Sequence, residues 1–287
     1  AGKLQSILDN SRDGDVIALS SGVYSGNFNI NHSIILRGDA NVTIDGLGKN
    51  DAIRVTASNV VIENLHIRNW GDDLTLMNAG IFVEKSATNI LIQNNYLKGD
   101  VTGIWLDKTS GTRVLNNKIQ GNTSMRSADR GNGIHLSLVT NVEVRGNEVW
   151  HTRDGLYIIS SQNNVLADNY IHDLRYGIHY MYSHSNRVES NHAERTRAGY
   201  ALMQSRNLKV VNNKATNSED YGFLLNFITS STISNNTIKK VWTKPENKVL
   251  GRDGKGLFVY NSAYNTIKGN LIDTAEIGIH LTAGSEN

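Results

Sequence analysis

The sequence predicts an all-β fold, a right-handed parallel β-helix, and three observations carry that prediction. A unit made of a glycine, alternating apolar positions and an N-x-V/I-x-x-N-x-V/I turn recurs about every 22 residues. Asparagine occupies the same turn position in successive units, and the 287 residues include a single proline. Proline lacks the N–H that a strand ladder needs, so its scarcity suits stacked strands. A unit this short cannot bury an apolar face alone, and we therefore expect the units to stack as coils.

The repeat can be followed along the chain by its turn asparagines. They are Asn95, Asn117, Asn147, Asn169, Asn191, Asn213, Asn236 and Asn270. The spacing from Asn147 to Asn213 is a regular 22 residues. We expect these amides to form a ladder in which each side chain bonds the next and satisfies turn backbone. Leucine-rich repeats have a similar length, but their L-x-x-L-x-L frame is missing.

Residues 3–11 are predicted to form a short helix that caps the first coil. Leu4, Ile7 and Leu8 have helical spacing, and the turn-forming segment DNSRDGD follows them. The open edge of a strand stack needs such a cover. The other end shows no cap, because GIHLTAGSEN stops halfway through a coil. We expect residues 1–287 to be a single β-helix domain that continues further in the natural protein.

Three insertions interrupt the regular period. The spacing lengthens near residues 69–79, 120–132 and 241–255, and the last of these contains Pro245. Excursions of this kind leave one face of a solenoid and often carry binding functions. We expect either the segment 241–255 or further C-terminal coils to contact a partner protein.

Composition excludes several classes of function. There are 29 Lys and Arg against 27 Asp and Glu, and this balance argues against a nucleic-acid-binding protein. Cysteine is absent, which excludes disulfides, thiolate metal sites and cysteine nucleophiles. No apolar run approaches the ~18 residues of a membrane span, so direct membrane insertion is not expected.

Two rows of side chains should point outward from the coils. Within each coil the first and third positions after the glycine are apolar, so the second and fourth must face outward. The second position holds His135, Tyr157, His179 and Phe258, and the fourth holds Met181, Met203 and Tyr260. An exposed aromatic and apolar stripe normally indicates contact with a ligand or partner. The stripe is therefore a candidate functional surface.

A row of arginines runs beside this stripe. Arg153, Arg175 and Arg197 each stand two residues before a glycine, so stacking should place like charges about one strand spacing apart. The acidic residues available to neutralise them are Asp154, Asp173 and Glu194. A local ion-pair lattice is the favoured interpretation, and the alternative is an anion-binding site or a partner or substrate surface.

The outward histidine and methionines suggest a copper site. Imidazole nitrogen and thioether sulfur suit Cu(I). His179 and Met181 lie two residues apart on one strand, and Met203 follows Met181 by one coil. We expect these three side chains to bind Cu(I) transiently. His135 is a weaker fourth candidate, because it lies two coils before His179.

Several segments resemble the NosD family of nitrous oxide reductase maturation proteins. They are LRYGIHYMYSHSNRVESN (174–191), AGYALMQSRNLKVVNN (198–213), YGFLLNFITSSTISNN (221–236) and GKGLFVYNSAYNTIKGN (254–270). The generic β-helix repeat predicts their Gly, Asn and apolar positions but not HYMYS or YALMQS. The resemblance covers nearly the whole chain and is most specific from Arg175 onward.

This resemblance implies a periplasmic, non-catalytic accessory protein. Its expected role is copper–sulfur cluster assembly in nitrous oxide reductase, together with an ABC transporter membrane subunit and a copper chaperone lipoprotein. The resemblance implies copper as the bound metal, and the sequence offers no cluster of acidic residues for calcium.

A polysaccharide-binding or polysaccharide-modifying β-helix, such as a lyase or an epimerase, is the alternative. The D-P-H-D segment of alginate epimerases and the G-H-G segment of pectin hydrolases are both absent, and Asp72-Asp73 falls in an insertion. We therefore assign no catalytic residues. A module that binds sugar rings with Tyr157, His179 and Phe258 remains open.

Overall fold

The computed structural model describes residues 2–282 and 287 and shows a solenoid of parallel strands. Each coil has three faces, and equivalent strands of successive coils pair in parallel. The fold class predicted from the repeat is confirmed. The sequence predicts that the C-terminal end has no cap. Residues 283–286 of that end lie outside the described residues.

The first face is one ladder of short strands. They are β1 (Val16–Leu19), β4 (Ile35–Gly38), β7 (Val61–Glu63), β10 (Leu91–Gln93), β13 (Arg113–Leu115), β16 (Glu143–Arg145), β19 (Val165–Ala167), β21 (Arg187–Glu189), β23 (Lys209–Val211), β26 (Thr232–Ser234) and β29 (Thr266–Lys268).

The second and third faces form two further ladders, which two long strands join. The second face contains β2 (Gly22–Ser25), β5 (Val42–Asp45), β8 (His66–Arg68), β11 (Tyr96–Lys98), β14 (Lys118–Gln120), β17 (Glu148–Trp150), β24 (Lys214–Ser218), β27 (Thr237–Val241) and β30 (Leu271–Ala275). The third contains β3 (Phe28–Ile30), β6 (Ile53–Val55), β9 (Ile81–Val83), β12 (Ile104–Asp107), β15 (Ile134–Ser137), β18 (Asp154–Ile159), β25 (Tyr221–Asn226), β28 (Lys255–Tyr260) and β31 (Ile277–Leu281). The joining strands are β20 (Tyr170–Met181) and β22 (His192–Met203), which bend across the corner and pair on both faces.

The core consists of the inward side chains of all three faces. On the third face Ile178, Tyr180, Tyr200 and Leu202 are completely buried. The rings of Tyr200 and Phe223 stack at 4.2 Å on neighbouring coils. Burying an apolar side chain of this size stabilises the fold by roughly 1.5–3 kcal/mol. The stack of inward residues therefore holds successive coils together and fixes which residues must face outward.

The predicted asparagine ladder is confirmed along the turn between the first and second faces. The Nδ2 atom of Asn147 donates to Oδ1 of Asn169 at 3.0 Å, and Asn169 bonds Asn191 at 2.9 Å. Each amide oxygen also accepts the backbone N–H of the preceding asparagine. The ladder extends from Asn95 to Asn270. These buried turns thus obtain partners that strand pairing does not supply.

Glycine is required where the coils approach each other most closely. A Cβ atom on Gly177 would lie 2.4 Å from the carbonyl oxygen of Gly199 and 2.8 Å from the Cβ of Ala193. Any side chain would force the two coils apart, so glycine recurs at this position.

The N-terminal helix α1 runs from Gly2 to Asp9 and covers the first coil. Leu4 and Leu8 are buried, whereas Ile7 is largely exposed. The longer connections lie between β8 and β9, between β14 and β15, and between β27 and β28. The connection between β14 and β15 contains a 3₁₀ turn at Ser127–Asp129, and the connection between β27 and β28 contains another at Pro245–Asn247.

Candidate functional site

The predicted outward row lies in register on the third face. His135 pairs with Tyr157, Tyr157 with His179, and His179 with Ala201 on successive strands. The same row continues through Leu224 to Phe258. Because the flanking Ile178 and Tyr180 are completely buried in the core, the His179 side chain is directed to the outer wall.

Much of this row is covered rather than exposed, which corrects the expectation of an open stripe. His179 is 9 % exposed, Leu224 is 8 % exposed, and Ala201 is fully buried. Neighbouring rings cause this burial: the Tyr157 and Tyr176 rings lie 4.9 and 5.2 Å from the His179 ring. Alternation along the strands predicted the direction of these side chains but not the packing of their neighbours over them.

The row becomes more open toward the later coils. Phe258 is half-buried and packs against Tyr260 at 6.1 Å, and Tyr260 is 41 % exposed. The Phe227 and Tyr264 rings beyond this pair are also exposed. An accessible aromatic surface therefore exists, but it lies away from His179.

A buried carboxylate anchors His179. The Nδ1 atom of His179 lies 2.9 Å from Oδ2 of Asp154. The Nε and Nη2 atoms of Arg175 donate to the two oxygens of the same carboxylate at 2.8 and 2.7 Å. Burial alone would raise the pKa of Asp154, but the hydrogen bonds from His179 and Arg175 outweigh burial and lower it. Asp154 is therefore an ionised acceptor at neutral pH.

The other ring nitrogen of His179 has no partner among the described residues. Since an ionised carboxylate can only accept, Nδ1 of His179 carries the proton and donates it to Asp154. In the neutral ring the Nε2 atom would present a lone pair, and this atom is buried without a hydrogen bond. Buried polar atoms in proteins are almost always satisfied. This nitrogen is therefore a candidate ligand atom on the outer wall.

Two thioethers lie on the same outer wall. Met181 follows His179 by two residues on β20, and Met203 is its register partner on β22. Adjacent parallel strands are ~4.8 Å apart, so the two side chains are neighbours. Both are half-buried. The structure thus brings His179, Met181 and Met203 to one face of two adjacent strands.

His135 lies two coils away from this group. Its ring stacks on Trp105 at 3.7 Å, and its Nδ1 atom is 3.3 Å from Nδ2 of Asn132. Burial lowers the pKa of His135 to about 3, so the ring is neutral at pH 7. Tyr157 lies between the two histidines, with ring centroids 4.8 Å from His135 and 4.9 Å from His179. His135 and His179 line one pocket of ≈ 300 Å³ together with Asp154 and Tyr157, but they are not adjacent.

The arginine row is only partly neutralised in the predicted way. Arg175 binds Asp154 as expected. Arg197 instead binds Asp220 through Nε at 2.6 Å. The predicted partners Asp173 and Glu194 both pair with Arg195, which belongs to the corner between the faces.

Arg153 makes no ion pair or side-chain hydrogen bond within the described part of the chain, and its Nε atom is buried without a partner. The expectation of a complete ion-pair lattice is therefore wrong at this position. Sequence proximity suggested Asp173 and Glu194, but the bend of β20 and β22 directs them to Arg195.

Sequence reasoning missed the contact between Asp154 and His179. The two residues are 25 positions apart, which is one 22-residue coil plus three residues. This offset was the one sign in the sequence that their side chains could meet on adjacent coils. A histidine–carboxylate contact across coils requires both side-chain rotamers, and the repeat does not specify them.

Within the described residues, no group of three or more His, Cys, Asp or Glu side chains is arranged to hold a metal ion. A metal site on this wall must therefore use other ligands, and the thioethers of Met181 and Met203 are the candidates that adjoin a histidine. In the same part of the chain no helix is long and apolar enough to cross a bilayer.

The coils and the outer row define the protein as a solenoid of the parallel β-helix class. A sequence profile for the right-handed beta helix region matches residues 8–154. The chain belongs to the NosD family, because the profile described as periplasmic copper-binding protein (NosD) matches residues 115–287. The family resemblance seen in the sequence is confirmed.

Two curated relatives share most of this chain. A probable ABC transporter binding protein NosD from Pseudomonas aeruginosa is 47% identical over 272 residues, covering 94% of this chain and 64% of the relative. The protein of the same description from Stutzerimonas stutzeri is 41% identical over 272 residues, with coverage of 94% and 62%. The chain thus spans less than two thirds of the length of either relative.

Solved structures confirm the architecture alone. A family 28 exopolygalacturonase from Yersinia enterocolitica superposes with a TM-score of 0.74 at 11% identity, covering 100% of this chain and 76% of that one. At this identity the likeness extends to the fold and not to the substrate.

Proposed function

We propose that the protein is a periplasmic accessory protein that carries Cu(I) on its outer wall and works with an ABC transporter. Its role is copper–sulfur cluster assembly in nitrous oxide reductase, and it is not an enzyme. The partners are the membrane subunit of the transporter, the reductase and a copper chaperone lipoprotein. The family description as periplasmic copper-binding and the relatives' description as ABC transporter binding proteins support this proposal.

The observation that carries the proposal is the unpartnered Nε2 atom of His179 on the outer wall that also holds the two thioethers. Metal-binding histidines usually donate their other ring N–H to a carboxylate, as His179 does to Asp154. Thioether sulfur and imidazole nitrogen are soft or borderline ligands that suit Cu(I). The residues present on this wall therefore fit the cargo.

Electrostatics allow a monovalent cation at this position. Arg175 neutralises Asp154 through two hydrogen bonds, the thioethers are uncharged, and an imidazole that binds a metal does so in its neutral form. Cu(I) bound there would keep its single positive charge. A neutral ligand set without thiolates binds copper reversibly, and a carrier must release its cargo.

Each residue has a defined task in this carrier. Asp154 fixes the tautomer and orientation of His179, and Arg175 fixes Asp154. His179 supplies the nitrogen ligand, while Met181 and Met203 supply sulfur from adjacent strands. His135 serves as an accessory copper ligand in the same row as His179. Arg153, Arg175, Arg197, Tyr157, Phe258 and Tyr260 form the surrounding partner surface.

Copper titration under anaerobic conditions tests the ligand set. Cu(I) affinity is measured against a competing chromophoric chelator for the wild type, for His179→Ala and for the double variant Met181→Ala/Met203→Ala. Removing ligands should weaken binding about tenfold or more, which corresponds to a loss of ~1.4 kcal/mol or more of binding free energy. The matched control is Met77→Ala/Met125→Ala, which removes the same number of thioethers from insertions. Unchanged affinity in the Met181→Ala/Met203→Ala protein would exclude the site.

The biological role requires a separate assay. Cluster assembly in the reductase is reconstituted with and without this protein, with transporter present in both cases. We expect clusters only when this protein is supplied. Full cluster formation in its absence would contradict the proposed role even if copper binding were retained.

A second candidate function rests on the exposed aromatic surface at the later coils. The Phe227 and Tyr260 rings lie 6.1 Å apart in an edge-to-face arrangement, and Tyr264 is 70 % exposed. Exposed rings of this kind can stack on sugars, which would make the protein a polysaccharide-binding module. A screen of acidic and neutral polysaccharides for binding and for product release separates this function from copper handling.

A further inference from the structure

A second pocket lies between the 120–132 insertion and the arginine row. Its volume is ≈ 530 Å³, and Ser127 and Ala128 of the insertion form one wall. Five arginines line it: Arg130, Arg153, Arg175, Arg195 and Arg197. We refer to this site as the arginine pocket. The side chains come from the insertion and from three consecutive coils, so folding alone brings these five like charges together.

Three of the five arginines have acidic partners. Arg175 binds Asp154, and Arg195 binds Asp173 through Nε at 2.8 Å and Nη2 at 2.9 Å. Arg197 binds Asp220, which it shares with Arg252. These pairs neutralise part of the wall.

Glu219 is the acidic residue among the described residues that line the arginine pocket. Its carboxylate lies 2.7 Å from Nζ of Lys244 and is therefore committed to another cation. It does not offset the remaining arginine charge.

Arg130 and Arg153 carry that remaining charge. Arg130 donates from Nε to the carbonyl oxygen of Met125 at 3.0 Å and from Nη1 to that of His151 at 3.1 Å. Carbonyl oxygens orient a guanidinium but do not neutralise it. Arg153 has no ion pair among the described residues, and its Nε atom is buried without a hydrogen bond. Within the part of the chain that the structure describes, these two positive charges thus lack a carboxylate partner.

We propose that the arginine pocket binds a small doubly charged oxyanion such as phosphate or sulfate, either free or as the head group of a small ester. Buried or half-buried cations are unfavourable without a counter-charge. The planar fork of a guanidinium matches the oxygens of such an anion and can bind two of them at once. A dianion would compensate both Arg130 and Arg153 and supply the acceptor that the Nε atom of Arg153 lacks.

A volume of ≈ 530 Å³ is typical of small-ligand sites. The pocket is open to solvent, so a small anion can enter it from outside. This site does not include Met181 or Met203 and does not depend on copper. It shares Arg175 with the support of His179, and Arg153, Arg175 and Arg197 with the proposed partner surface, but anion binding does not require a bound metal.

Calorimetry at constant ionic strength tests the proposal on the complete chain. Phosphate, sulfate and glycerol phosphate are titrated in a chloride background, and chloride of equal ionic strength serves as the reference ion. We expect saturable binding of the dianions. Binding of glycerol phosphate in addition to phosphate would identify an ester head group as an acceptable source, whereas binding of inorganic phosphate alone would restrict the site to the free ion.

Arg153→Ala should weaken phosphate binding about tenfold or more, because a hydrogen bond to a charged group contributes roughly 1.5–3 kcal/mol. Arg153→Lys keeps the charge without the fork and should bind with intermediate affinity. The matched control is Arg206→Ala, an exposed arginine on a turn, which should bind like the wild type. Thermal melts of each variant establish that it is folded.

Three outcomes would overturn the proposal. The first is that the dianions bind no more tightly than chloride. The second is that Arg153→Ala binds phosphate with wild-type affinity. The third is that an acidic peptide binds to the protein although phosphate does not. The Met181→Ala/Met203→Ala protein should retain phosphate binding, so failure of the copper site and failure of the arginine pocket are distinguishable.

Discussion

The Nδ1 atom of His179 and the Oδ2 atom of Asp154 lie 2.9 Å apart on adjacent coils, although the two residues are 25 positions apart in the chain. Both residues are buried, and Arg175 occupies both oxygens of the same carboxylate. Because the contact links β18 to β20, the orientation of His179 depends on the register between two coils. Any change that alters this register alters the direction of the Nε2 lone pair.

Asp154→Asn should weaken copper binding without removing a ligand. The amide cannot hold the proton of His179 on Nδ1 as a carboxylate does, and it leaves Arg175 without its counter-charge. Loss of such a supporting carboxylate typically reduces metal affinity about 10–100-fold. The measurement is Cu(I) competition, and Asp168→Asn, a change at a half-exposed carboxylate, is the control. Wild-type affinity in Asp154→Asn would show that the carboxylate does not support a ligand.

The stability of the protein should depend on pH through His135. Burial lowers the folded-state pKa of His135 to about 3, and the unfolded value is ~6.5. Protonation therefore favours the unfolded chain, and the contribution of His135 to stability is lost as the pH falls from ~6.5 toward 3, by at most ~1.4 kcal/mol per pH unit.

His135→Phe keeps a ring on Trp105 but cannot take up this proton. The free energy of unfolding, measured by urea at pH 7.5, 6, 5 and 4, should fall less steeply with acid for His135→Phe than for the wild type. His66→Phe, which makes the same ring replacement at an exposed histidine, is the matched control. Parallel pH curves for His135→Phe and the wild type would contradict the assignment.

Asn169→Ala should interrupt the amide ladder at its centre. The Oδ1 atom of Asn169 accepts the backbone N–H and the side-chain amide of Asn147, and its Nδ2 atom donates to Asn191. Leaving a buried donor without a partner costs about 1–3 kcal/mol for each group. Urea denaturation provides the measurement. The exposed amide Gln162 supplies the control, since Gln162→Ala should change stability by less than ~0.5 kcal/mol.

The period of the sequence was sufficient to predict the coils, the asparagine ladder and the register of the outer row. Asn147 and Asn169, and likewise Met181 and Met203, are one period apart, and stacking alone makes them neighbours. Such contacts depend on backbone geometry that every coil repeats. For that reason the positions of His179, Met181 and Met203 on one wall could be inferred without coordinates.

Contacts between unlike positions of different coils could not be inferred. The pairing of Arg197 with Asp220 depends on long side chains whose rotamers the repeat leaves open. Arg195 attracts Asp173 and Glu194 because β20 and β22 bend at the corner, and no sequence pattern marked that bend. The burial of His179 likewise results from the Tyr157 and Tyr176 rings and not from its place in the period.

The passage of β20 and β22 around the corner has a mechanical consequence for these two coils. In the other coils the second and third faces are formed by separate strands, which can detach one at a time. Here each chain segment is tied to its neighbours on both walls, so loosening that starts at either end of the stack should stop before it reaches them. The amide protons of these two coils should exchange with solvent among the slowest in the molecule. His179, Met181 and Met203 would therefore keep their relative spacing while the terminal coils unfold locally.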